Sequence, residues 1–503
     1  MTRTNTDYAT PVRPAMGLPR FHRHPLLFAF LTAVSITCFQ TPVALAQTGT
    51  PARVQLTFPE PTGPYALGTT SLHLVDHSRN DPYWQTPHSR ELMVSVWYPA
   101  VRAVAVRRPK APWMSPNLLS YYRPALEEAL SRTLGGCPPE IPPGNCPVPP
   151  GSSLSSDPVS LAAVDFPVTH AAPDAPVDQS GGKYPVVFFA PAHEDMREQG
   201  TALAEDLASH GYIVVTIDAT YEAFGVEFPD GRVELECQRN PRPELVDCLS
   251  MEGRKGLKLR RMDAQFVLDQ LTALARWGVN PDAEQRELPP GLHASMNLDE
   301  IGIYGHSEGG AVATHAMAND RRFDAGINLD GGILLALEDM DTIPPPGLSP
   351  EQQRAFDEAV LAGVASLAAR LSEGHRPFMN VTGPNTALPV ENPNLIGGGL
   401  DFTFHHNLSG FKPHLRVANT AHGSFTDSMW MYPQLAVAGL IPWTIQADGR
   451  QSVEGAVGRI DPDHAIALNR AYIRAFFDRT LKGIDNHLLD GPSAAYPEVT
   501  VYY

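Results

Sequence analysis

Apolar and polar residues along the middle of the chain follow the periodicities of strands and helices in turn. Residues 184–192, 212–219 and 301–305 are almost continuously apolar, which is typical of strands buried on both faces of a sheet. Residues 91–99 alternate apolar and polar positions, which also predicts a strand. The remaining predicted strands lie at 323–330, 377–383 and 414–420.

Apolar residues between these strands recur at helical spacing. The alternation of strand and helix predicts an α/β protein with a mainly parallel central sheet and helices on both faces. There is no internal repeat, so a single domain over residues 47–503 is the economical organisation. The predicted helices lie at 200–211, 260–277, 311–318 and 465–483.

Two segments break the alternation and are interpreted as insertions in the domain. Residues 106–183 are rich in Pro, Ser and Ala and contain one predicted helix at 117–134. Residues 333–376 contain an acidic, Pro-rich loop and then a predicted helix at 350–371. We expect both segments to shape the mouth of the pocket.

The first 46 residues have the pattern of a secretory signal peptide. Four arginines precede a run of 14 apolar residues that ends at Phe39, and Ala44 and Ala46 then stand before Gln47. That run is short for a membrane span, and Cys38 lacks the sequence context of a lipoprotein site. We predict cleavage after Ala46 and a secreted or periplasmic protein.

Cleavage would move the formal charge from −17 to −20, because it removes four arginines and one aspartate. A chain with this large a negative net charge is a poor partner for nucleic acid or anionic membranes. Four cysteines would remain, in two close couples, which predicts the disulfides Cys137–Cys146 and Cys237–Cys248 on surface loops; free thiols are the alternative. The sequence contains no C-x-x-C, H-E-x-x-H or Walker motif, so no metal site is predicted.

Ser307 is the candidate nucleophile, in the segment Gly-His-Ser-Glu-Gly. The pattern G-x-S-x-G is weak by itself, but here it follows a buried strand and precedes a helix, as a nucleophile elbow requires. In such an elbow a tight turn projects the hydroxyl above the sheet, while Gly305 and Gly309 leave room for the neighbouring strand and helix. A plain strand–helix turn is the alternative.

A nucleophilic serine needs an orienting acid at the same edge of the sheet. Asp330 ends the predicted strand that follows the serine's helix, and two glycines come next. Asp299 and Asp324 lie at the opposite ends of their strands and would point to the other edge. Asp330 is therefore the predicted acid, with a solvated or helix-capping aspartate as the alternative.

The general base should follow the last strand of the sheet. His422 does so, eight residues after His414 begins the predicted strand. His405 and His406 precede that strand and are interpreted as structural or pocket-lining residues. The chain order Ser, Asp, His is the order that hydrolases of this class use.

Taken together, the motifs resemble the α/β-hydrolase esterases typified by plasma and type II platelet-activating-factor acetylhydrolase and their secreted bacterial relatives. The resemblance spans most of residues 47–503. It rests on an ordered series of segments: RELMVSVWYPA, YPVVFFAPAH, DLASHGYIVVTID, FPDGR, RRMDAQFVLDQL, LDEIGIYGHSEGGAVA, GINLDGG and AHGSFTD.

The resemblance implies a serine esterase that cleaves short acyl esters, including platelet-activating-factor-like phospholipids, without a metal or organic cofactor. It implies an acid directly after the strand that follows the nucleophile's helix, which favours Asp330. It also implies an oxyanion hole made by the backbone N–H groups of His193 and Glu308. Family members carry a Gly-rich loop where this chain has Ala-His-Glu-Asp, so the shape of that loop is open.

Several alternatives follow from the same residues. The Glu308 carboxylate is either a comfortable acid in the first turn of a helix or a group that disfavours anionic substrates. The helix at 117–134, with Leu118, Leu119, Tyr121 and Tyr122, either packs on the core or touches lipid transiently. The protein as a whole could instead be a lipase or polyester hydrolase with the same triad, or a binding protein without activity.

Overall fold

The computed structural model describes residues 53–132, 157–251, 254–337, 342, 344–384, 398–446 and 449–503. The predicted signal peptide and the predicted Cys137–Cys146 disulfide lie outside these residues. Residues Ala52–Tyr503 form one compact unit. Its strands are β1 Val54–Gln55, β2 Ala66–Asn80, β3 Ser89–Ala100, β4 Val164–Asp165, β5 Ala171–Pro173, β6 Tyr184–Ala190, β7 Ile213–Ile217, β8 Gly225–Glu227, β9 Val233–Leu235, β10 Met296–His306, β11 Ala325–Leu329, β12 Phe378–Thr382, β13 His414–Val417 and β14 Val499–Tyr502.

Helices connect most of these strands, and short 3₁₀ turns precede or follow several of them. Within the described residues, 3₁₀ turns lie at Arg197–Gly200, Cys248–Met251, Ile333–Ala336, Glu373–His375 and His422–Phe425. The α-helices are α1 Arg102–Ala105, α2 Pro116–Ser131, α3 Thr201–Ser209, α4 Arg254–Trp277, α5 Leu292–Ser295, α6 Glu308–Asn319, α7 Pro350–Leu371, α8 Leu400–Asn407, α9 Ser428–Val437, α10 Val453–Val457 and α11 Pro462–Leu481.

Ten of the strands form one sheet in the order β14-β13-β12-β11-β10-β6-β7-β3-β2-β5. The block from β13 to β7 is parallel throughout. Antiparallel pairing joins β14 to β13 at one end, and β7 to β3 and β3 to β2 toward the other. The predicted α/β class, with a mainly parallel sheet, is confirmed, and the architecture is the α/β-hydrolase fold.

Each face of the sheet has its own hydrophobic core. On one face α2, α3, α9 and α11 contribute buried residues such as Leu126, Leu207, Leu435 and Phe476. On the other, α4, α6, α7 and α8 contribute residues such as Leu271 and Val312. Helices on both faces leave the central parallel strands buried on both sides, which is why their sequences are almost continuously apolar.

Three strands of the sheet, β2, β5 and β14, are absent from the sequence-based prediction. The three-residue strand β5 falls in the segment 106–183, which was interpreted as an insertion. The long strand β2 carries polar residues on a buried face, which hides its alternating pattern, and β14 lies at the edge of the sheet. The prediction that the strand before His422 is the last one is wrong, because β14 follows it in the chain and pairs with β13. His422 instead follows the last parallel strand, and this places it at the same edge of the sheet as Ser307 and Asp330.

The helices of the two interrupting segments are integrated into the fold. Helix α7 is the crossover between the parallel strands β11 and β12, and Val364, Leu367 and Leu371 are buried along it. Helix α2 buries Leu118 and Tyr122 in the core, while Tyr121 is 45% exposed. In the structure, therefore, α2 packs on the core.

Cys237 and Cys248 form a disulfide with a Cα–Cα distance of 5.7 Å. Cys237 is buried in a small cluster with Tyr83, Tyr221 and Met251, so this bridge anchors the loop in a packed interior rather than on the surface. A cavity of about 20 Å³ beside the bridge is also lined by His193 and Glu308. Among the described residues no helix has the length and apolar character needed to cross a bilayer.

Candidate active site

The turn at Ser307 joins the end of β10 to the start of α6. Ser307 has φ +55° and ψ −121°, a conformation that costs a non-glycine residue on the order of 1–3 kcal/mol. Its N–H donates to the carbonyl of Leu329 on β11 at 2.9 Å, and its own carbonyl accepts from Gly310 N–H at 2.9 Å. These bonds hold the serine in the strained conformation that projects its side chain from the turn.

The glycines on either side of Ser307 allow this turn to form. A Cβ at Gly305 would lie 2.1 Å from the carbonyl oxygen of Gly309, and one at Gly309 would lie 2.0 Å from that of Ala190. Neither contact is possible for real atoms, so the chain can approach β6 and turn into α6 this closely only without side chains. As predicted, these two glycines leave room for the neighbouring strand and helix.

Asp330 follows β11 directly and also has a positive φ of 51°. Its N–H donates to the Val381 carbonyl at 2.7 Å, which fixes the residue above β12. One carboxylate oxygen accepts from Gly383 N–H at 3.0 Å, and the other lies 2.7 Å from Nδ1 of His422. Although burial disfavours the charged carboxylate, the bonds from His422 and Gly383 hold the pKa of Asp330 below its usual range.

His422 begins the 3₁₀ turn after β13, and 41% of its side chain is exposed. Because Nδ1 faces the Asp330 carboxylate, Nδ1 carries the proton and Nε2 is the nitrogen available to a reacting group. Ser307 and Asp330 end neighbouring strands, with His306 opposite Leu329 in the register, so all three residues belong to one edge of the sheet. The Ser307 hydroxyl makes no hydrogen bond to another described residue, so its contact with His422 stays part of the proposal below.

His306, the residue before the serine, is a functional candidate that the sequence analysis missed. It is 3% exposed, its Nε2 lies 2.9 Å from the His422 carbonyl oxygen, and the two ring centroids are 4.5 Å apart. Burial, together with the nearby His422, lowers the pKa of His306 to about 3, so the ring is neutral and Nε2–H is the donor. The only signal in the sequence was its place beside the nucleophile.

The loop at His193 lies against the first turn of α6. Nδ1 of His193 is 3.1 Å from the Glu308 carboxylate, which also lies 3.3 Å from the Arg260 guanidinium. Arg260 donates in addition to the Pro191 carbonyl, so one buried ion pair connects the loop, α4 and α6. The bond to Glu308 raises the pKa of His193, and despite burial His193 and Arg260 hold the pKa of Glu308 below its usual range.

Glu308 is 8% exposed, and its carboxylate is paired with the Arg260 guanidinium and hydrogen-bonded to Nδ1 of His193. A carboxylate that is buried and neutralised in this way projects little charge toward a substrate. The arrangement favours the structural interpretation of Glu308 over the idea that it repels anionic substrates. The same side chains hold the loop at His193 against the first turn of α6.

Asp195, two residues after His193, is another residue that the sequence analysis did not identify as part of the site. Burial raises its pKa to about 6, and the positive charges of Arg260 and His422 offset part of that effect. Burial, with a contribution from Asp195, raises the pKa of Tyr432 on α9 to about 12. A carboxyl that titrates near neutral pH therefore lies within electrostatic range of His422.

The residues considered as alternatives to Asp330 and His422 lie elsewhere in the fold. Asp324 accepts from Ile301 N–H at 2.9 Å at the start of β11, and Asp299 is exposed at the same end of β10. His405 is buried with Nε2 donating to the Lys412 carbonyl at 3.0 Å, which makes it structural. His406 is exposed and stacks on Phe402.

Comparisons with known proteins agree with this fold and site. No family model matches the chain. It is 25% identical over 459 residues to a probable 1-alkyl-2-acetylglycerophosphocholine esterase from Arthroderma benhamiae, covering 88% of this chain and 92% of that one. It is 28% and 30% identical to the platelet-activating factor acetylhydrolases of Cavia porcellus and Canis lupus familiaris, over 33% of this chain and 40% of each of theirs.

A solved structure extends the likeness to the whole domain. The ferulic acid esterase from Streptomyces cinnamoneus is 31% identical, with a TM-score of 0.57, and the match covers 89% of this chain and 99% of that one. The chain belongs to the platelet-activating-factor acetylhydrolase-like family of esterases. The protein is accordingly an esterase, and the resemblance in the ordered motifs is confirmed.

Proposed function

We propose that this protein is an exported serine esterase that hydrolyses carboxylic esters through an acyl-enzyme formed on Ser307. The observation that carries the proposal is the 2.7 Å bond between His422 and Asp330 at the edge where Ser307 stands in its strained turn. A nucleophile, a base and an orienting acid on three separate elements are what acyl transfer by serine requires.

The first half of the reaction transfers the acyl group to the enzyme. Oγ of Ser307 attacks the ester carbonyl carbon while Nε2 of His422 removes the hydroxyl proton. The bond between the carbonyl carbon and the alkoxy oxygen then breaks, and His422 returns the proton to the departing alcohol. Asp330 holds the imidazole in the required tautomer and stabilises its cationic form.

The second half releases the acid and restores the serine. Water attacks the acyl carbon, His422 accepts one of its protons, and the bond to Ser307 Oγ breaks as that oxygen is reprotonated. The N–H groups of residues 193 and 308 stabilise the oxyanion in both halves. Every step uses only side chains, backbone N–H groups and water.

The names of the relatives suggest two classes of ester. The acetylhydrolase and 1-alkyl-2-acetylglycerophosphocholine esterase names favour a short acyl group on a glycerophospholipid. The ferulic acid esterase, matched over nearly its whole length, favours an aromatic acyl group and is the second candidate. Activities on an acetyl glycerophospholipid, a hydroxycinnamate methyl ester and a polyester film would separate these classes from a lipase-like or polymer-degrading enzyme.

A fluorophosphonate probe tests the nucleophile directly. We expect stoichiometric labelling of the wild type and none of Ser307→Ala. A wild type that takes up no label and hydrolyses no ester would favour the binding-protein alternative.

Export is the remaining part of the proposal. The signal-peptide pattern and the Cys237–Cys248 disulfide both support an oxidising compartment. Sequencing the N-terminus of protein recovered from outside the cytoplasm should begin at Gln47. Recovery of the uncleaved chain in the membrane fraction would contradict this part alone.

A further inference from the structure

The two residues that supply the oxyanion donors of the proposed reaction are joined through their own side chains. Nδ1 of His193 lies 3.1 Å from Oε2 of Glu308, and the Arg260 guanidinium lies 3.3 Å from the same oxygen. Arg260 also donates to the carbonyl of Pro191, two residues before His193. We call these three side chains the 193–260–308 cluster. It connects the loop after β6 to the first turn of α6.

The backbone N–H groups of both donors are available to a substrate. Glu308 is the first residue of α6, and the first N–H groups of a helix have no acceptor within the helix. The N–H of His193 donates to no other residue in the part of the chain that the structure describes. Two N–H groups from different elements can stabilise one oxyanion only if their separation is fixed, because each must come within about 2.7–3.1 Å of it.

Backbone strain flanks both donors. Ser307, before Glu308, has φ +55°, and Glu194, after His193, has φ +59°. Strained residues persist only where the surrounding contacts hold them. The Glu194 carbonyl accepts from Phe224 N–H at 2.8 Å, which holds one side of the loop, and the 193–260–308 cluster holds the side toward α6. The conformation of the loop therefore depends on contacts from both sides.

The members of the cluster differ in burial. The Arg260 side chain is 6% exposed and that of Glu308 is 10% exposed. Separating this pair would leave a buried charge without a partner, which disfavours its opening in the folded protein. The His193 side chain is 53% exposed. The connection can therefore be cut at His193 with little effect on folding.

We propose that Glu308, His193 and Arg260 are positioning residues that set the distance between the two N–H groups of the oxyanion hole. This inference rests on the proposed serine-esterase mechanism, in which those N–H groups bind the oxyanion. The three side chains act through the backbone that they hold. Cutting the cluster should therefore weaken binding of the transition state and leave binding of the ester itself nearly unchanged.

Glu308→Met and Glu308→Gln form the first matched pair. Met has a similar length but no strong acceptor, whereas the one carbonyl oxygen of Gln can accept both bonds, because both contacts of Glu308 are to Oε2. We expect Glu308→Met to lower kcat by roughly 10- to 100-fold with little change in KM, and Glu308→Gln to stay within about threefold of the wild type.

Asp320→Leu is the control for lost stability. Asp320 follows α6 at its other end, its side chain is also 10% exposed, and it is paired with Arg322. Removing this carboxylate should lower the temperature of thermal unfolding and leave kcat unchanged. The same unfolding measurement shows which variants are folded.

His193→Phe is the second variant, in case Glu308→Met does not fold. It keeps the backbone N–H of residue 193 and removes the Nδ1 donor, so it too should lower kcat. His193→Asn, whose amide can donate from a similar position, should recover part of the loss. An alkyl trifluoromethyl ketone gives a readout that a merely structural role would not move, because Ser307 adds to its carbonyl and forms an oxyanion. Its Ki should rise by about the factor by which kcat/KM falls.

The outcomes separate this inference from the proposed function. An active wild type with unchanged kcat in Glu308→Met and His193→Phe would overturn the inference and leave the proposed function intact. A loss confined to KM, or an equal loss of kcat in Asp320→Leu, would overturn it too. A wild type that neither hydrolyses an ester nor takes up the fluorophosphonate would overturn the proposed function, and this inference with it.

Discussion

The edge at the ends of β10, β11 and β13 differs from the face of β2 and β3 in where polar groups are allowed. In the parallel block helices cover both faces and the strands are mostly apolar, and the three proposed catalytic residues, Ser307, Asp330 and His422, follow the strands. In the antiparallel part the polar groups lie within the strands, at Thr69, Ser71 and Ser95, on a face that covering loops leave partly open. The less complete cover of the antiparallel part thus leaves room for a row of polar side chains on the face of β2 and β3.

The largest expected effect tests the strand-end region. Ser307→Ala should lower kcat by a factor of about 10⁴ or more, because the attacking oxygen is removed. Hydrolysis of a chromogenic acetyl ester measures it, and His422→Ala should cause a comparable loss. His406→Ala is the control, since His406 is exposed, and a similar loss there would contradict the assignment of the base.

Asp330→Asn comes next, with an expected loss of about 10³- to 10⁴-fold in kcat, because an amide leaves the imidazole in the wrong tautomer. Asp299→Asn changes an exposed aspartate at the other end of the neighbouring strand and should leave kcat near the wild-type value. If both variants were equally active, the shared edge would not be the site of catalysis.

Gly309→Ala should disrupt the elbow, since its Cβ would meet the Ala190 carbonyl at 2.0 Å. We expect a loss of at least about 2 kcal/mol in the free energy of unfolding, together with loss of probe labelling at Ser307. Gly491→Ala, where nothing lies within 4 Å, should be neutral in both assays. A fully stable and labelled Gly309→Ala would show that the turn tolerates a different packing.

His306→Phe removes the donor to the His422 carbonyl while keeping a ring of similar size. Because a small displacement of the base is costly, kcat should fall by about 10- to 100-fold with little change in KM. His306→Gln can replace the Nε2 donor and should recover part of the loss. Equal losses in both variants, or a change confined to KM, would argue against a positioning role.

The smallest effect concerns Asp195, whose carboxyl titrates near pH 6 beside His422. Asp195 interacts electrostatically with His422, and a nearby negative charge favours the cationic form of a base, which cannot accept a proton. Asp195→Asn should therefore extend activity to lower pH, moving the acid limb of the kcat/KM profile by less than about one unit. Movement of that limb to higher pH would reverse the sign and exclude this interaction.

Prediction from sequence succeeded for elements whose local sequence pattern directly reflects their burial or their tight turn in the structure. The apolar runs of β6, β7 and β10 are short and almost continuous, which favours strands buried on both faces, and the glycines around Ser307 marked the elbow. Strand β2 was missed because the polar residues Thr69 and Ser71 interrupt its alternation.

The sequence by itself determined the α/β order, the candidate nucleophile, and the acid and base that follow it in the chain, because these depend on periodicity and on which strand each residue ends. Only the tertiary structure decided the partners of those residues. The contact of His306 with His422 and the pairing of Glu308 with His193 and Arg260 both join residues far apart in the chain. Contacts of that kind depend on how helices and loops cover the sheet, and no local spacing in the sequence records them.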